Sequence, residues 1–253
     1  DNDVYWSAVC HPESASCSLV KKSDLMDDGH SHAYAMYKDE ISKDGWGKIW
    51  VHGDDSDAGW YQAGFVEGSL TSLRVYQHFQ SWYAYQFSTP PSAETVDFIL
   101  AQYEYAVQLA AQHPEDPYYR RVGQVLAQFE GMLAGINYAA ESGESMTKLE
   151  LLLLEASGDL YDILPATSPS QFKLQFGRLG AQEFHDEWHR SVSCSALIKM
   201  KADASDLWAG HATWTSYVNM LRVYKNYDLG GGALQSSHSS KPGMVYSKDD
   251  FYT

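Results

Sequence analysis

Between residues 60 and 164 the chain is built almost without interruption from helix-forming periods, and strand-like patterns are confined to either side. Apolar residues that recur every three to four positions put one stripe on one face of a helix. From Trp60 to about Phe87 this pattern includes Phe65, Leu70, Leu73, Val75 and Tyr76, and Pro90-Pro91 ends it. Ser92 then stands as the cap of a second helix, whose buried face is Val96, Ile99, Leu100, Tyr103, Val107 and Leu109. Pro114 and Pro117 bracket the next turn. A third helix is expected from about Tyr118 to Ala140 and a fourth from about Lys148 to Leu164.

Either side of this block the period changes. Ala33, Ala35 and Tyr37 alternate with Tyr34, Met36 and Lys38, and Gly45 to Val51 follow a turn, so two strands are expected there. Cys194 to Lys201 reads as another strand, with Ala196, Ile198 and Met200 on one face, and Asp206 to Trp214 as its hairpin partner. Thr215 to Tyr227 reads as helix and Gly230 to Gly232 as a flexible break. Met244 to Tyr246 and Phe251 to Thr253 read as short strands. A terminal strand needs a neighbour to pair with, so the rest of the sheet is expected from a segment beyond Thr253 or from a second polypeptide.

Charge narrows the partners. Eighteen Lys and Arg against 33 Asp and Glu leave a formal net charge of −15, which repels phosphate backbones and argues against nucleic acid. It equally argues against docking on anionic membranes through basic charge. No stretch approaches the ~20 apolar residues that a membrane-spanning helix needs. A chain opening on Asp1 rather than Met reads as processed or trimmed, loss of a secretory signal being one explanation. No N-glycosylation sequon occurs. Cys10 and Cys17 stand close enough to close a small disulfide loop in an oxidising compartment, and otherwise are two thiols.

Few catalytic signatures survive scrutiny. His185 and His189 lie four apart, which on a helix puts two imidazoles on one face, but neither H-E-x-x-H nor a third ligand accompanies them. His30-x-His32 is weaker still, and no metal or other cofactor is expected. No serine nucleophile elbow, phosphate-binding loop or dinucleotide fingerprint is present. Cys194 opens its strand after Ser193, with His211 and Trp214 one hairpin later. Such a cysteine is ordinarily an inert core residue. It becomes a nucleophile when a base sits beside it, and cutting the Ser193–Cys194 bond creates one, an α-amine of ordinary pKa ~7.7–8.0.

The run Cys194-Ser195-Ala196-Leu197-Ile198-Lys199, with Gly210-His211-Ala212-Thr213-Trp214-Thr215-Ser216-Tyr217 and Met220-Leu221-Arg222, closely resembles the phospholipase B-like family of N-terminal nucleophile hydrolases. Ala63 to Gly68, Asp116 to Gly123, Leu126 to Gln128, Gly158 to Leu160, Lys241 to Gly243 and Asp249 to Tyr252 agree with it in order. The resemblance implies an α+β fold, an αββα sandwich with an added helical layer. It implies that residues 1–193 form a largely helical N-terminal segment with early strands. Residues 194–253 then begin the nucleophile-bearing segment, whose remainder lies outside this chain and supplies further strands and an oxyanion donor. It further implies autoproteolysis between Ser193 and Cys194, a Cys194 nucleophile, His211 and Trp214 lining its pocket, and a lysosomal or secreted protein. The implied activity is hydrolysis of acyl ester or amide bonds in phospholipids or related lipids. The rival reading is a binding or structural protein that keeps the fold without turnover. Self-association is left open.

Overall fold

The computed structural model describes residues 3–11, 16–24, 29–168, 179–185, 194–213, 216–230, 232 and 234–246, with 194 and 211–213 described through their backbone. It is an α+β protein. Strands β1 (Trp6–His11) and β2 (Ser16–Lys21) form an antiparallel hairpin at one edge of a six-stranded sheet. Cys10 and Cys17 are register partners in it, with Cα atoms 4.1 Å apart, and they are joined by a disulfide. β3 (Ala33–Glu40) and β4 (Trp46–Gly53) follow as an antiparallel pair. They are linked by the single helical turn α1 (Ile41–Asp44), which Gly45 closes at a left-handed φ of 88°. The two strands expected around residues 33–51 are therefore present.

The helical block follows. α2 (Asp57–Gln86) is capped by Ser56, whose Oγ accepts the Gly59 N–H at 3.0 Å. α3 (Ala93–Gln112) is capped by Ser92 as expected, and α4 (Pro117–Ala139) by Asp116, with Pro117 in the first turn where a missing N–H costs nothing. The expected fourth helix is two: α5 (Lys148–Glu155), opened by a Thr147/Glu150 capping box, and α6 (Leu160–Thr167). The break falls at Ser157-Gly158-Asp159, three poor helix formers that leave the end of α5 free to bond elsewhere.

The second correction concerns residues 215–227, expected as helix. A 3₁₀ turn at Tyr217–Asn219 leads into a strand, β7 (Arg222–Leu229). Val223, Lys225, Tyr227 and Leu229 point inward and are buried, while the alternate residues are half-buried on the other face. A lysine in an inward position hid the period of two. Gly230 and Gly232, expected in a linker, instead lie in the turn to β8 (Leu234–Ser240), both at positive φ. Met244 to Tyr246, expected as a strand, have no strand pairing; Met244 is fully buried, and Phe251 to Thr253 lie outside the described residues.

The sheet order is β2-β1-β3-β4-β7-β8, antiparallel except for the central β4–β7 pair. α2 lies across one face, where Trp60, Ala63, Phe65 and Val66 pack on Ala35, Ile49, Val51 and Val223. A second core lies between the helices, built from Phe79 and Trp82 of α2, Phe129, Met132 and Ile136 of α4, and Leu151 and Leu154 of α5. α2 and α4 cross with Gly64 and Gly68 facing Gly131 and Gly135, so backbone meets backbone.

Candidate functional site

β5 (Cys194–Met200) and β6 (Leu207–Thr213) form a two-stranded antiparallel ribbon separate from the main sheet. Its turn is closed by the Lys201 N–H on the Asp206 carbonyl at 3.0 Å. The register sets Cys194 opposite Thr213 and Ala196 opposite His211. Residues 194 and 211 therefore occupy diagonal positions, typically ~7–8 Å apart in an antiparallel ladder. Ser193 and Trp214 lie outside the described residues, as does His189. His185 is helical, within a stretch described over residues 181–185. The ribbon carries apolar side chains on both faces, and Leu197 and Ile198 are 70% and 71% exposed. An isolated two-stranded ribbon is marginal in water.

A group of ionisable residues that the sequence reading did not single out lies between α2 and the sheet. Lys225 and Tyr227 are two apart on β7 and so share its inward face. The Lys225 ammonium donates to Glu67 Oε1 at 2.5 Å, to the Tyr227 hydroxyl at 3.3 Å and to the Met244 carbonyl, which uses all three of its donors. Tyr227 donates to Glu67 Oε2 at 2.7 Å. Lys225 is fully buried and Glu67 almost so. Glu155, the last residue of α5, accepts the Val245 N–H at 2.9 Å, and its backbone carbonyl accepts the Tyr246 hydroxyl at 2.7 Å. Segment 244–246 is thus fastened to β7 and to α5. The available sequence signals were Glu67 within a glycine-flanked helical run and Lys225-x-Tyr227 at strand spacing.

This arrangement sets the ionisation of its neighbours. Burial pushes the Glu155 carboxyl up to about 8, opposed by the Val245 N–H and by Lys225. Burial, with Lys225 nearby, pushes His238 down to about 4. Burial and the Glu67 carboxylate raise the Tyr227 hydroxyl well above its ordinary value. The Glu67–Lys225–Tyr227 set is closed and mutually satisfied, so it tethers elements and presents no free acid or base. Glu155 differs, because its side chain also lines a groove between α3, α4, α5 and α6.

A pH dependence of stability follows. Raised from 4.5 to about 8, Glu155 holds its proton in the folded state over that interval. Its contribution is fully present below 4.5 and is lost as pH rises through 8. His238, lowered from 6.5 to about 4, contributes stability above 6.5 that is lost as pH falls through 4. The two oppose each other in mild acid, and between pH 6.5 and 8 Glu155 alone of the pair titrates. Melting temperature is expected to fall across that upper interval, and Glu155→Gln to flatten the fall; thermal melts at four pH values check it.

At the carboxyl ends of β4 and β7 there is a separate polar cleft of about 440 Å³. His32 Nδ1 lies 2.8 Å from Asp54 and His52 Nδ1 lies 3.4 Å from Asp228, and both pairs line the cleft. These are exposed to partly exposed pairs of modest strength.

A mixed sheet with one face under a long helix, beside a separate two-stranded ribbon, defines an α+β protein. The chain belongs to the phospholipase B family, whose profile matches residues 33–253. It is 31% identical over 264 residues to phospholipase-B 81 of Drysdalia coronoides, an alignment covering 99% of this chain and 47% of that protein. It is 30% identical to phospholipase B-like 1 of Rattus norvegicus, covering 98% of this chain and 45% of the relative. Phospholipase B-like protein D of Dictyostelium discoideum is 29% identical over 87% of the chain and 40% of its own length. The chain therefore spans under half the length of these relatives.

Proposed function

We propose that the chain is the nucleophile-bearing part of a hydrolase that cleaves acyl ester or amide bonds of phospholipids or related lipids. Autoproteolysis between Ser193 and Cys194 frees an α-amine at Cys194. That amine takes the thiol proton, and the thiolate attacks the acyl carbon. The tetrahedral oxyanion collapses to a thioester as the departing oxygen or nitrogen takes the proton back. Water, deprotonated by the same amine, then releases the fatty acid and restores the thiol. His211 hydrogen-bonds the nucleophile or the substrate, and Trp214 walls the acyl group.

The observation that carries this reading is family membership over most of the chain, including the segment that opens β5 with Cys194. The names of the relatives support the lipid class. Further sheet strands and the oxyanion donor come from the second half of an αββα fold, as a further segment or a second polypeptide. The apolar side chains on both faces of the ribbon support that part, since they need a cover. A lysosomal or secreted location agrees with the Cys10–Cys17 disulfide, which an oxidising compartment preserves.

Intact-mass measurement and N-terminal sequencing of the purified protein test the proposal. Two polypeptides are expected, one beginning at Cys194, and Cys194→Ala is expected to give one uncut chain without hydrolytic activity. A Cys194→Ala protein that is still cut in a host lacking other proteases overturns self-processing. One that still hydrolyses acyl bonds overturns the nucleophile. A wild-type protein that is neither cut nor active leaves the family's fold with a binding role instead.

A further inference from the structure

The groove that Glu155 lines has a volume of about 590 Å³, within the ~300–1,000 Å³ range of small-molecule sites. Its walls are Phe98 and Ile99 of α3, Leu126 and Phe129 of α4, Leu152 of α5 and Ile163 of α6, with Tyr246 closing it. The four helices leave a trough beside the packed core to which Ile99 and Phe129 belong. Phe98 and Val125 stand at the rim, each 41% exposed. Among the polar groups on this mainly apolar surface, with Gln102, Tyr103 and Asp159, is the half-buried Glu155 carboxyl. One oxygen accepts the Val245 N–H, and the other has no hydrogen-bond partner among the described residues.

We propose that this groove binds one free fatty acid, its alkyl chain along the α3–α4 wall and its carboxyl group against Glu155. The choice of ligand class rests on the lipid-hydrolase reading above, and the site is distinct from the cysteine ribbon. The argument is complementarity at both ends. An alkyl chain gains with each methylene taken out of water, and most of the trough's wall is apolar. A carboxyl group held protonated by burial is a single O–H donor, which suits one carboxylate oxygen. The proton stays shared between the two acids, and Lys225 behind Glu155 offsets the added negative charge. A phosphate-bearing head would bring a second anion to the rim beside Asp159, which also lines the groove.

The groups facing Glu155 among the described residues include Lys225 and Tyr227 from β7, Glu67 from α2 and Tyr246 from the closing segment, and Tyr103 of α3 and Asp159 share its groove. Both tyrosines are pushed above their ordinary values, so neither gives up its proton ahead of Glu155, which is pushed up to about 8. A fatty acid is already ionised in solution between pH 7 and 9. Raising the pH therefore places two carboxylates together, and affinity should fall.

Fluorescence titration of the full chain with cis-parinaric acid, below its self-assembly concentration, reads this directly. One saturable site is expected at pH 7, weakened at least about tenfold at pH 9 by the like-charge pair. Glu155→Gln keeps a donor that does not titrate, so its affinity should change little between the two pH values. Val125→Asp places an ion on the apolar wall and should weaken binding at least about tenfold, and Phe98→Ser, also at the rim, tests the same wall should Val125→Asp fail to fold. Cys194→Ala should bind as the wild type does, so loss of hydrolysis and loss of binding are separate results. Absence of a saturable site, or equal binding by the rim variants, overturns the proposal while leaving the nucleophile untouched. So does preference for lysophosphatidylcholine of the same chain length over the free acid, or a groove already occupied by another segment of the protein.

Discussion

Gly64→Ala is expected to cost the fold more than about 4 kcal/mol, at the far end of what single substitutions do. A Cβ at this position would lie 1.9 Å from the Gln128 backbone carbonyl oxygen and 2.8 Å from the Met132 nitrogen. Both atoms belong to α4 itself, so no side chain can rotate aside. The helices must separate, and the core of Phe129, Met132 and Ile136 opens with them. Gly131→Ala meets the Tyr61 carbonyl oxygen at 1.9 Å from the opposite side and should behave alike. Gly123→Ala is the control: its Cβ meets only the Ala110 methyl at 3.6 Å, so helix propensity should make it stabilising by about 0.5–1 kcal/mol. Urea denaturation of the three variants decides the matter, and a Gly64→Ala protein within 1 kcal/mol of wild type would mean that the two helices do not cross as described.

The second large effect is expected at Lys225. Lys225→Met removes the ammonium and leaves the Glu67 carboxylate buried with Tyr227 as its remaining partner, a loss of about 3–5 kcal/mol for a broken buried pair. Segment 244–246 should loosen as well, because the Met244 carbonyl loses its donor. Replacing both members, Glu67→Leu with Lys225→Met, takes the orphaned charge away and should recover much of the loss. Denaturant midpoints for the two single variants and the double variant give the coupling. A double variant as unstable as the sum of the singles would show that the pair is not acting as a unit.

These two sites also mark what the sequence could and could not tell. The helices were legible where a cap or a proline met a periodic run, as at Ser92 and at Pro117. The α2–α4 crossing was written in the two Gly-x-x-x-Gly spacings, 64 to 68 and 131 to 135, but each is informative only once the other is known to face it. β7 was misread because Lys225 sits where a strand facing a core should carry an apolar residue; its partner Glu67 is 158 positions away. β8 reads Leu-Gln-Ser-Ser-His-Ser-Ser and has almost no β-propensity of its own, so its place comes from pairing with β7. For the site, Cys194 was legible as a strand opening through its family block, whereas the Glu155 groove was not, since its walls come from four helices whose mutual packing no local pattern encodes.

The one parallel junction in the sheet has a consequence for how the protein is made. Trp46 pairs with Arg222 and His52 with Asp228, so β4 cannot find this neighbour until residues 222–228 have left the ribosome. At ~5–20 residues per second that is a wait of order ten seconds, long compared with hairpin formation. Throughout it β4, paired with β3 on one side, leaves its other edge open, with Ile49 and Val51 on the face that α2 must reach and with unpaired N–H and C=O groups along that edge. The nascent β1–β4 and α2 unit is thus the species most exposed to mispairing with another copy, and holding it apart until β7 arrives is a task for the folding machinery of the cell rather than for the finished structure.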